Sequence, residues 1–347
     1  MSKRKALVVF LIICMITGSL ATGCNKEKEV SGDAEHVVRK LTNSSYSATR
    51  EFYVAYNDLF AAYWEEKTGE EVVVEMTHGG SVLQSEAVAE KQSADIVTLG
   101  VSKDVDALEE EKLLGSEWMK TLENESVPYT SAVVFLVRKD SKKKIEDWDD
   151  LRKKGIEIMT PNPETSGGGA WNFFAAWAYA QQFSNGNTKN AIHFMKRLYN
   201  NVLIMYDDSR TATNNFVENG QGDVLITWES EAYLSMEAYP DDFEIITPSI
   251  SILGQPVAAV VDSVTEKNET QEIAKEYLEY LYSEEGQRLA GEHFFRPVRE
   301  EILQEFSAQF DLGMNLVTMK EFGGWEKAWK DCFGKNGIWE QVCPEEE

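Results

Sequence analysis

VVVEMTHGGS, at residues 72–81, combines an apolar strand-like run with a turn of small residues, and a helical pattern follows at once. The same arrangement occurs twice more. IEIMT at 156–160 leads to TSGGG at 165–169, and LIM at 203–205 leads to DSRT at 208–211. Each turn ends in hydroxyl or glycine residues with free backbone N–H groups at a helix start, which suits an anion. Three such turns indicate a site that holds a small oxyanion.

Strand-like runs alternate with helical patterns along most of the chain, which predicts parallel sheets and the α/β class. The predicted helices are 48–67, 82–91, 104–112, 171–183, 188–199, 214–218 and 270–292, and the predicted strands are 71–76, 95–99, 130–137, 156–159, the run at 203, 223–227, 243–247 and 257–261. Two extended runs, 130–137 and 248–261, are candidate crossovers between lobes. We expect a discontinuous lobe 1 at 37–131 and 250–347, and a continuous lobe 2 at 132–249.

The first 23 residues have the pattern of an export signal. Lys3, Arg4 and Lys5 precede an apolar run at 6–20 that is too short to span a bilayer comfortably. The small residues before Cys24 resemble a bacterial lipobox, in which the cysteine is lipidated and becomes the mature N-terminus. A plain secretory signal is the alternative. The polar residues that follow predict a flexible tether at 24–36.

The net charge of −25 argues against nucleic acid or an anionic membrane surface as a partner. It does not exclude a small anion, because surface charges are screened beyond roughly 8–10 Å at moderate salt. A buried site responds mainly to its own hydrogen bonds and dipoles.

Cysteine and histidine spacing predicts no metal site and no cofactor. In an exported chain Cys332 and Cys343 are left to form a disulfide or to remain two thiols, and their spacing fits no zinc motif. The four histidines also lack metal spacing.

A serine hydrolase is a rival interpretation of the small-residue turns. HGGS at 78–81 is similar to the oxyanion loop of some lipases, but neither Ser81 nor Ser166 lies in a G-x-S-x-G elbow.

Trp228 directly follows the predicted strand 223–227, at an edge where ligand sites gather. Its indole N–H is a donor without acceptor function, so it is either a ligand donor or a core tryptophan.

Several segments together carry a family resemblance. They are SYSATRE (45–51), HGGS (78–81), ADIVTL (94–99), PYTS (128–131), TPNP (160–163), SGG (166–168), GDVLI (222–226), WE (228–229), YLYS (280–283) and FGGW (322–325). In these segments the chain resembles the sulfate-binding proteins of bacterial ABC importers. The resemblance implies a two-lobed type II periplasmic-binding-protein fold, in which each lobe is a mainly parallel sheet flanked by helices and the ligand lies in the cleft.

Carried over by position, the family's ligand-binding residues are Ser47, Ser81, Ser166, Gly167, Gly168, Ser209 and Trp228. Ser81 would give its N–H and its hydroxyl, and Ser166 its hydroxyl. Gly167, Gly168 and Ser209 would give N–H groups. Ser47 stands where the family has an aspartate, and Ser209 where it has an alanine. We expect Arg50 and Arg210 to pair with nearby acids rather than with the anion.

The resemblance implies a monomeric binding protein, not an enzyme, that captures sulfate or thiosulfate and delivers it to a membrane permease with paired ATPases. It would be lipid-anchored on the outer face of the cytoplasmic membrane, or periplasmic. Sulfate is an unprotonated dianion and needs donors only. The rival readings are a binding protein for molybdate or phosphate, a secreted serine hydrolase using Ser81, and a surface adhesion or scaffold lipoprotein.

Overall fold

The computed structural model of the chain describes residues 38–91 and 93–343. The predicted signal, the tether and the lipidation site Cys24 lie outside these residues. The strands are β1 (Val38–Tyr46), β2 (Glu71–Gly79), β3 (Ile96–Leu99), β4 (Tyr129–Arg138), β5 (Ile158–Pro161), β6 (Val202–Tyr206), β7 (Val224–Trp228), β8 (Phe243–Ile246), β9 (Ser251–Gly254), β10 (Val257–Val260), β11 (Arg296–Pro297) and β12 (Leu316–Val317).

The helices surround these strands, and none of them in the described residues is both long enough and apolar enough to cross a membrane. They are α1 (Arg50–Thr68), α2 (Ser81–Lys91), α3 (Ser102–Glu110), α4 (Glu123–Ser126), α5 (Trp148–Leu151), α6 (Gly167–Phe183), α7 (Thr188–Tyr199), α8 (Ser209–Asn219), α9 (Glu229–Ala238), α10 (Asp262–Asn268), α11 (Gln271–Tyr280), α12 (Glu284–Glu292), α13 (Glu300–Glu305), α14 (Trp325–Phe333) and α15 (Ile338–Val342). Short 3-10 helices are Ser47–Thr49, Trp118–Lys120 and Met319–Phe322.

The smaller sheet has the strand order β10-β3-β1-β2. β1 runs parallel to β2 and β3, and β10 is antiparallel to β3. The carboxyl ends of the three parallel strands therefore meet at one edge. From that edge the chain enters the 3-10 helix at Ser47, α2 at Ser81 and α3 at Ser102. Helix starts at the carboxyl edge of parallel strands are where ligands of α/β proteins bind.

The larger sheet has the order β12-β9-β4-β7-β5-β6, and β8 and β11 also pair with β4. β5 is parallel to β6 and β7, whereas β4 is antiparallel to β7, β8, β9 and β11. The α/β class with two helix-flanked sheets is confirmed. The larger sheet is mixed rather than mainly parallel, because β4 runs against each of its neighbours.

The chain passes between the two sheets at two places. It enters the larger sheet at β4 and returns to the smaller one in the two residues between β9 and β10. The C-terminal segment then lies back against the larger sheet. β12 pairs with β9, and Trp325 packs edge-on against Trp171 of α6 at 4.7 Å between ring centroids. Residues 316–343 thus contact the larger sheet and its helices.

One predicted helix is two helices. The pattern at 270–292 is interrupted between α11 and α12, where Ser283 caps α12 by accepting a hydrogen bond from Gly286 N–H at 3.0 Å. The carbonyl of Leu281 accepts from the Gln287 side chain at 2.8 Å instead of from a helical N–H. A serine cap followed by Glu284 is a start signal that the continuous periodicity concealed.

Cys332 is buried in α14 and Cys343 directly follows α15, and the pairing of the two cysteines stays a prediction. Burial raises the pKa of the Cys332 thiol to about 12. The sulfur therefore stays protonated near neutral pH, which slows its attack on a disulfide.

Candidate functional site

The predicted ligand residues lie at helix starts on the carboxyl edges of both sheets. α2 begins at Ser81, α6 at Gly167 and α8 at Ser209, and Ser166 is the residue before α6. Trp228 ends β7 and is 1% exposed, and the other four are also buried. The backbone N–H groups in the first turn of a helix have no acceptor within that helix, so these turns present donors.

The start of α6 lies in close contact with the other helix starts. A Cβ atom built on Gly168 would lie 2.2 Å from Ser209 Oγ and 2.5 Å from Trp228 Nε1. One built on Gly167 would lie 3.3 Å from Ser81 Cβ. Only residues without a side chain fit here, since real Cβ contacts below 3.0 Å do not occur. The two glycines therefore bring Ser81 to one side of the α6 N-terminus and Ser209 and Trp228 to the other.

Ser47 joins this group from the smaller sheet. It is buried, it opens the 3-10 helix after β1, and its Oγ accepts a hydrogen bond from the backbone N–H of Arg210 at 3.2 Å. A second backbone contact joins the same two regions, in which Val82 N–H donates to Thr165 O at 3.2 Å. All seven predicted residues therefore lie at one junction between helix starts of the two sheets.

The indole nitrogen of Trp228 is a buried donor without a hydrogen-bond partner among the described residues. Trp148 and Trp171 are satisfied, because their indoles donate to Ile250 O and Gly100 O, each at 2.8 Å, whereas the nitrogen of buried Trp64 also lacks a partner in this part of the chain. A buried donor without a protein partner calls for an explanation, and a bound water or ion is one. The contact with Gly168 shows that the Trp228 nitrogen faces the α6 N-terminus.

The hydroxyl of Ser81 is engaged differently from the prediction. Its Oγ donates to Asp104 Oδ2 and accepts from Gly100 N–H, the latter at 2.9 Å. A hydroxyl has one hydrogen, so with Asp104 as acceptor the side chain of Ser81 has none left for a ligand. In this state Ser81 can donate to a ligand only through its backbone N–H, because Asp104 accepts the hydroxyl hydrogen.

The hydroxyl of Ser166 keeps its hydrogen available. Ser166 is the N-cap of α6, and its Oγ accepts from Gly169 N–H at a long 3.4 Å. At the start of α8 the cap is instead a carboxylate, Asp208, whose two oxygens accept from Thr211 N at 2.9 Å and Thr211 Oγ1 at 2.8 Å. That carboxylate is therefore held by its own helix.

Arg210 pairs with acids, as expected. Its guanidinium bonds Glu231 through Nη2 at 2.8 Å and Nε at 3.0 Å, and Glu51 through Nη1 at 2.5 Å and Nη2 at 2.6 Å. Burial acts to raise the pKa of Glu51, but the hydrogen bond and charge of Arg210 prevail and lower it. The Glu51–Arg210–Glu231 bridge links α1, beside the smaller sheet, to α8 and α9.

Two other basic residues lie close to the junction. Arg50 is exposed and forms no hydrogen bond or ion pair with another described residue, so the pairing expected for it is absent there. His78 is half-buried, and its Nδ1 lies 3.5 Å from Tyr46 O. Burial, with the charge of Arg50 as the second cause, lowers the pKa of His78 to about 4. The imidazole is therefore neutral near pH 7.

The geometry suits binding rather than nucleophilic catalysis. Neither Ser81 nor Ser166 is hydrogen-bonded to a histidine in the described part of the chain, whereas an activated serine needs an adjacent base. Within 38–91 and 93–343 there is also no group of three or more His, Cys, Asp or Glu that could hold a metal ion.

Sequence reasoning did not identify Asp104, Glu51 or Glu231 as part of this region. Asp104 lies in a helix with several other acids, and nothing local distinguishes it. Glu51 and Glu231 are 159 and 21 residues from Arg210, so the sequence indicated only that it would meet acids. Gly100 had a signal, because it directly follows β3 at the carboxyl edge.

Comparison with known proteins gives consistent matches. The family model described as bacterial extracellular solute-binding protein matches residues 47–296. The sulfate-binding protein of Escherichia coli is 46% identical over 304 residues, which is 87% of this chain and 92% of that protein. The thiosulfate-binding protein of Pseudomonas aeruginosa is 38% identical over 313 residues, covering 90% of this chain and 94% of that one.

A solved structure agrees with these relatives. The sulfate-binding protein SubI from Mycobacterium tuberculosis superposes with a TM-score of 0.75 at 30% identity, covering 83% of this chain and 97% of that chain. All three relatives carry names of binding proteins rather than of enzymes. The chain therefore belongs to the bacterial extracellular solute-binding proteins, the family that includes these sulfate- and thiosulfate-binding relatives.

Proposed function

We propose that this chain captures sulfate outside the cytoplasm and delivers it to an ABC importer. The observation that carries the proposal is the buried Trp228 Nε1, a donor without a described partner, directed at the first turn of α6. The relatives named sulfate-binding proteins support the choice of anion. Thiosulfate is the second candidate, because a relative at 38% identity is named a thiosulfate-binding protein and both anions are unprotonated dianions.

Neutral donors are sufficient to hold such an anion. The N–H groups of Ser81, Gly167, Gly168 and Ser209, the hydroxyl of Ser166 and the indole of Trp228 would each donate. A hydrogen bond to a charged group contributes about 1.5–3 kcal/mol. Each helix start adds the equivalent of roughly half a positive charge. Arg210 is already bonded to two carboxylates, so no cation has to contact the anion.

Donors alone also select among oxyanions. Hydrogen phosphate carries a proton that needs an acceptor, and an unpaired buried polar group costs about 1–3 kcal/mol. The buried carboxylate of Asp104 is reached through Ser81, whose hydroxyl occupies its Oδ2. We expect the site to favour sulfate over phosphate for this reason.

In the proposed cycle two lobes close on the anion, and the closed form is recognised by a permease with paired ATPases. Lobe 1 comprises 37–131 and the part of 250–347 before the C-terminal segment. Lobe 2 comprises 132–249, with which 316–343 would move because β12, α14 and α15 pack there. Lipidation at Cys24 would hold the monomer at the outer face of the cytoplasmic membrane.

Thermal shift with a panel of anions at fixed ionic strength tests the proposed function. A ligand stabilises the fold by about 2.7 kcal/mol at a hundred times its Kd, so sulfate should raise the melting temperature clearly. Phosphate and molybdate should have little effect, and thiosulfate should rank between them and sulfate. A larger shift with phosphate or molybdate would contradict the choice of anion. Ester turnover that is lost in Ser81→Ala would contradict the binding role itself.

Replacing Arg50 with alanine is expected to leave the sulfate Kd within about threefold of its original value. Arg50 is exposed and contributes only long-range charge, which solvent and salt screen. Isothermal titration at moderate salt measures this. Loss of all measurable affinity would make Arg50 a direct ligand and would contradict the neutral-donor account.

Replacing Glu51 with glutamine is expected to weaken sulfate binding by about threefold, because a partly exposed ion pair contributes up to about 1 kcal/mol. Glu51 bonds Arg210 across the junction, so the closed form should lose stability relative to the open one. Glu70→Gln is the matched control. Glu70 pairs with Arg39 of β1, so this ion pair lies within the region of the smaller sheet and does not cross the junction. Equal effects of the two variants would contradict a role of the Glu51 pair in closure.

A further inference from the structure

Gly254 is the last residue of β9, and it lies against the fused ring of Trp228. A Cβ atom built on Gly254 would lie 2.3 Å from Trp228 Cζ3 and 2.9 Å from Cη2, and the next nearest atom is Ser131 O at 3.3 Å. Gly254 is buried, and it is not among the glycines with a positive φ, so its backbone conformation does not require glycine. The ring of Trp228 is therefore the main group that excludes a side chain at this position.

The pairing of the strands explains how the ring reaches Gly254. β4 lies between β9 and β7 in the larger sheet, with Ser131 opposite Gly254 and Val133 opposite Trp228. These four residues share one face of the sheet, because directly opposed residues point the same way, as do residues two apart on a strand. Ser131 is small, so the indole can extend across β4 to β9.

The indole of Trp228 meets a glycine at each end. Cζ3 and Cη2 form the outer edge of its six-membered ring, whereas Nε1 and Cδ1 belong to the five-membered ring at the opposite end. A Cβ atom on Gly168 would lie 2.5 Å from Nε1 and 3.1 Å from Cδ1. Tyr46 and Trp171 lie beside the indole, with ring centroids at 6.1 and 6.3 Å from it. The position of Nε1 along the indole axis therefore depends on how closely β9 approaches the fused ring.

We propose that Gly254 is a positioning residue for the anion site, because the absence of a side chain lets the Trp228 indole lie far enough over β4 for Nε1 to donate to the anion at the start of α6. The inference rests on the proposed function and adds a residue that does not contact the anion. A methyl group on residue 254 would push the ring along its long axis. Relief of the 2.3 Å contact needs a displacement of about 1 Å, which is enough to break a hydrogen bond.

Freedom of the backbone is the rival reason for a glycine here, since only two residues separate β9 from β10 where the chain returns to the smaller sheet. The two explanations differ in how residue 254 is coupled to Trp228. If Gly254 acts through the indole, a smaller ring at 228 removes the effect of a methyl group at 254. If it acts through backbone freedom, the effect persists whatever ring is present.

Isothermal titration with sulfate of Gly254→Ala, of Trp228→Phe and of the double variant tests the inference. Gly254→Ala should raise the Kd by about 10- to 100-fold, which corresponds to the loss of one hydrogen bond to a charged group. Phenylalanine has no atoms in place of Cζ3 and Cη2. The double variant should therefore bind sulfate with the Kd of Trp228→Phe alone, and it should melt at a higher temperature than Gly254→Ala.

Gly291→Ala is the matched control, because it creates an equally short contact with an aromatic ring outside the site. Gly291 is a buried residue of α12, and a Cβ atom built on it would lie 2.3 Å from Phe306 Cε2. This variant should lower the melting temperature and leave the sulfate Kd unchanged.

A Gly254→Ala protein that binds sulfate within about threefold of the original would overturn the inference. A further loss of affinity when Gly254→Ala is added to Trp228→Phe would overturn it in favour of backbone freedom. If Gly254→Ala does not fold, the double variant decides: it should fold and bind like Trp228→Phe, and its failure to fold would overturn the inference. All these results leave the proposed function intact, whereas absence of sulfate binding by the original protein would overturn both.

Discussion

Replacing Gly168 with alanine is expected to raise the sulfate Kd by about 10²- to 10⁴-fold. The new methyl group would lie 2.2 Å from Ser209 Oγ and 2.5 Å from Trp228 Nε1, so α6 must move away from two of its partner donors. Loss of two hydrogen bonds to a charged group, at about 1.5–3 kcal/mol each, accounts for this factor. Isothermal titration measures the change.

The control for this variant is Gly115→Ala. The nearest atom to a Cβ at Gly115 is Asp262 Oδ2 at 3.8 Å, an ordinary contact, so neither binding nor stability should change much. A Gly168→Ala protein that folds and binds sulfate within tenfold of the original would contradict the proposed position of the anion. Circular dichroism and thermal melting separate loss of binding from loss of the fold.

Replacing Trp228 with phenylalanine is expected to weaken sulfate binding by about 10- to 100-fold. The ring remains in the core, where it packs against Tyr46 and Trp171, but the indole donor is lost. One hydrogen bond to a charged group contributes about 1.5–3 kcal/mol. The anion-free protein should lose stability only through the smaller ring, because Trp228 Nε1 has no described partner to lose.

Trp148→Phe is the control, in which stability should change and sulfate affinity should not. Both variants lose the same ring volume, but the Trp148 indole also donates to Ile250 O. Trp148→Phe should therefore lower the free energy of unfolding by about 1 kcal/mol more than Trp228→Phe and leave the Kd unchanged. Titration and chemical denaturation of both variants give the comparison. Unchanged sulfate affinity in Trp228→Phe would show that the indole is an ordinary core group.

The local parts of the fold were predictable because their signals are local. The alternation of strands and helices gave the α/β class, and the turn before α2 located its start to within one residue. The bounds predicted for α8 began at 214, five residues after its start at Ser209. The start of α6 was predicted at Trp171, four residues late, because Gly167 and Gly168 are poor helix formers. The Ser166 cap and tertiary packing outweigh that propensity. β1 was missed, since its first half alternates little and only its second half is buried.

The contacts that shape the site were not predictable from the residues alone. The bridge from Arg210 to Glu51 and Glu231 and the contact of Ser81 with Asp104 join residues distant in sequence. Resemblance to a family identified donors, but it could not show that the Ser81 hydroxyl is held by a buried carboxyl group. The packing of residues 316–343 on the larger sheet likewise depends on tertiary contacts, such as Trp339 on Tyr199.

The acidic surface and the anion site are compatible because different interactions govern them. A net charge of −25 is spread over the surface and screened by salt. The predicted donors are buried N–H and O–H groups at helix starts, and their dipoles act at contact distance. Of the two arginines near the junction, Arg210 is bonded to the carboxylates of Glu51 and Glu231, and Arg50 is exposed.

A crystal structure of the complex with sulfate is the most direct test of the neutral-donor site. The account predicts sulfate oxygens within about 3.2 Å of the N–H groups of Gly167, Gly168 and Ser209, of Ser166 Oγ and of Trp228 Nε1. No lysine or arginine nitrogen should lie at that distance. Sulfate held chiefly by cationic side chains, or bound away from the start of α6, would contradict it.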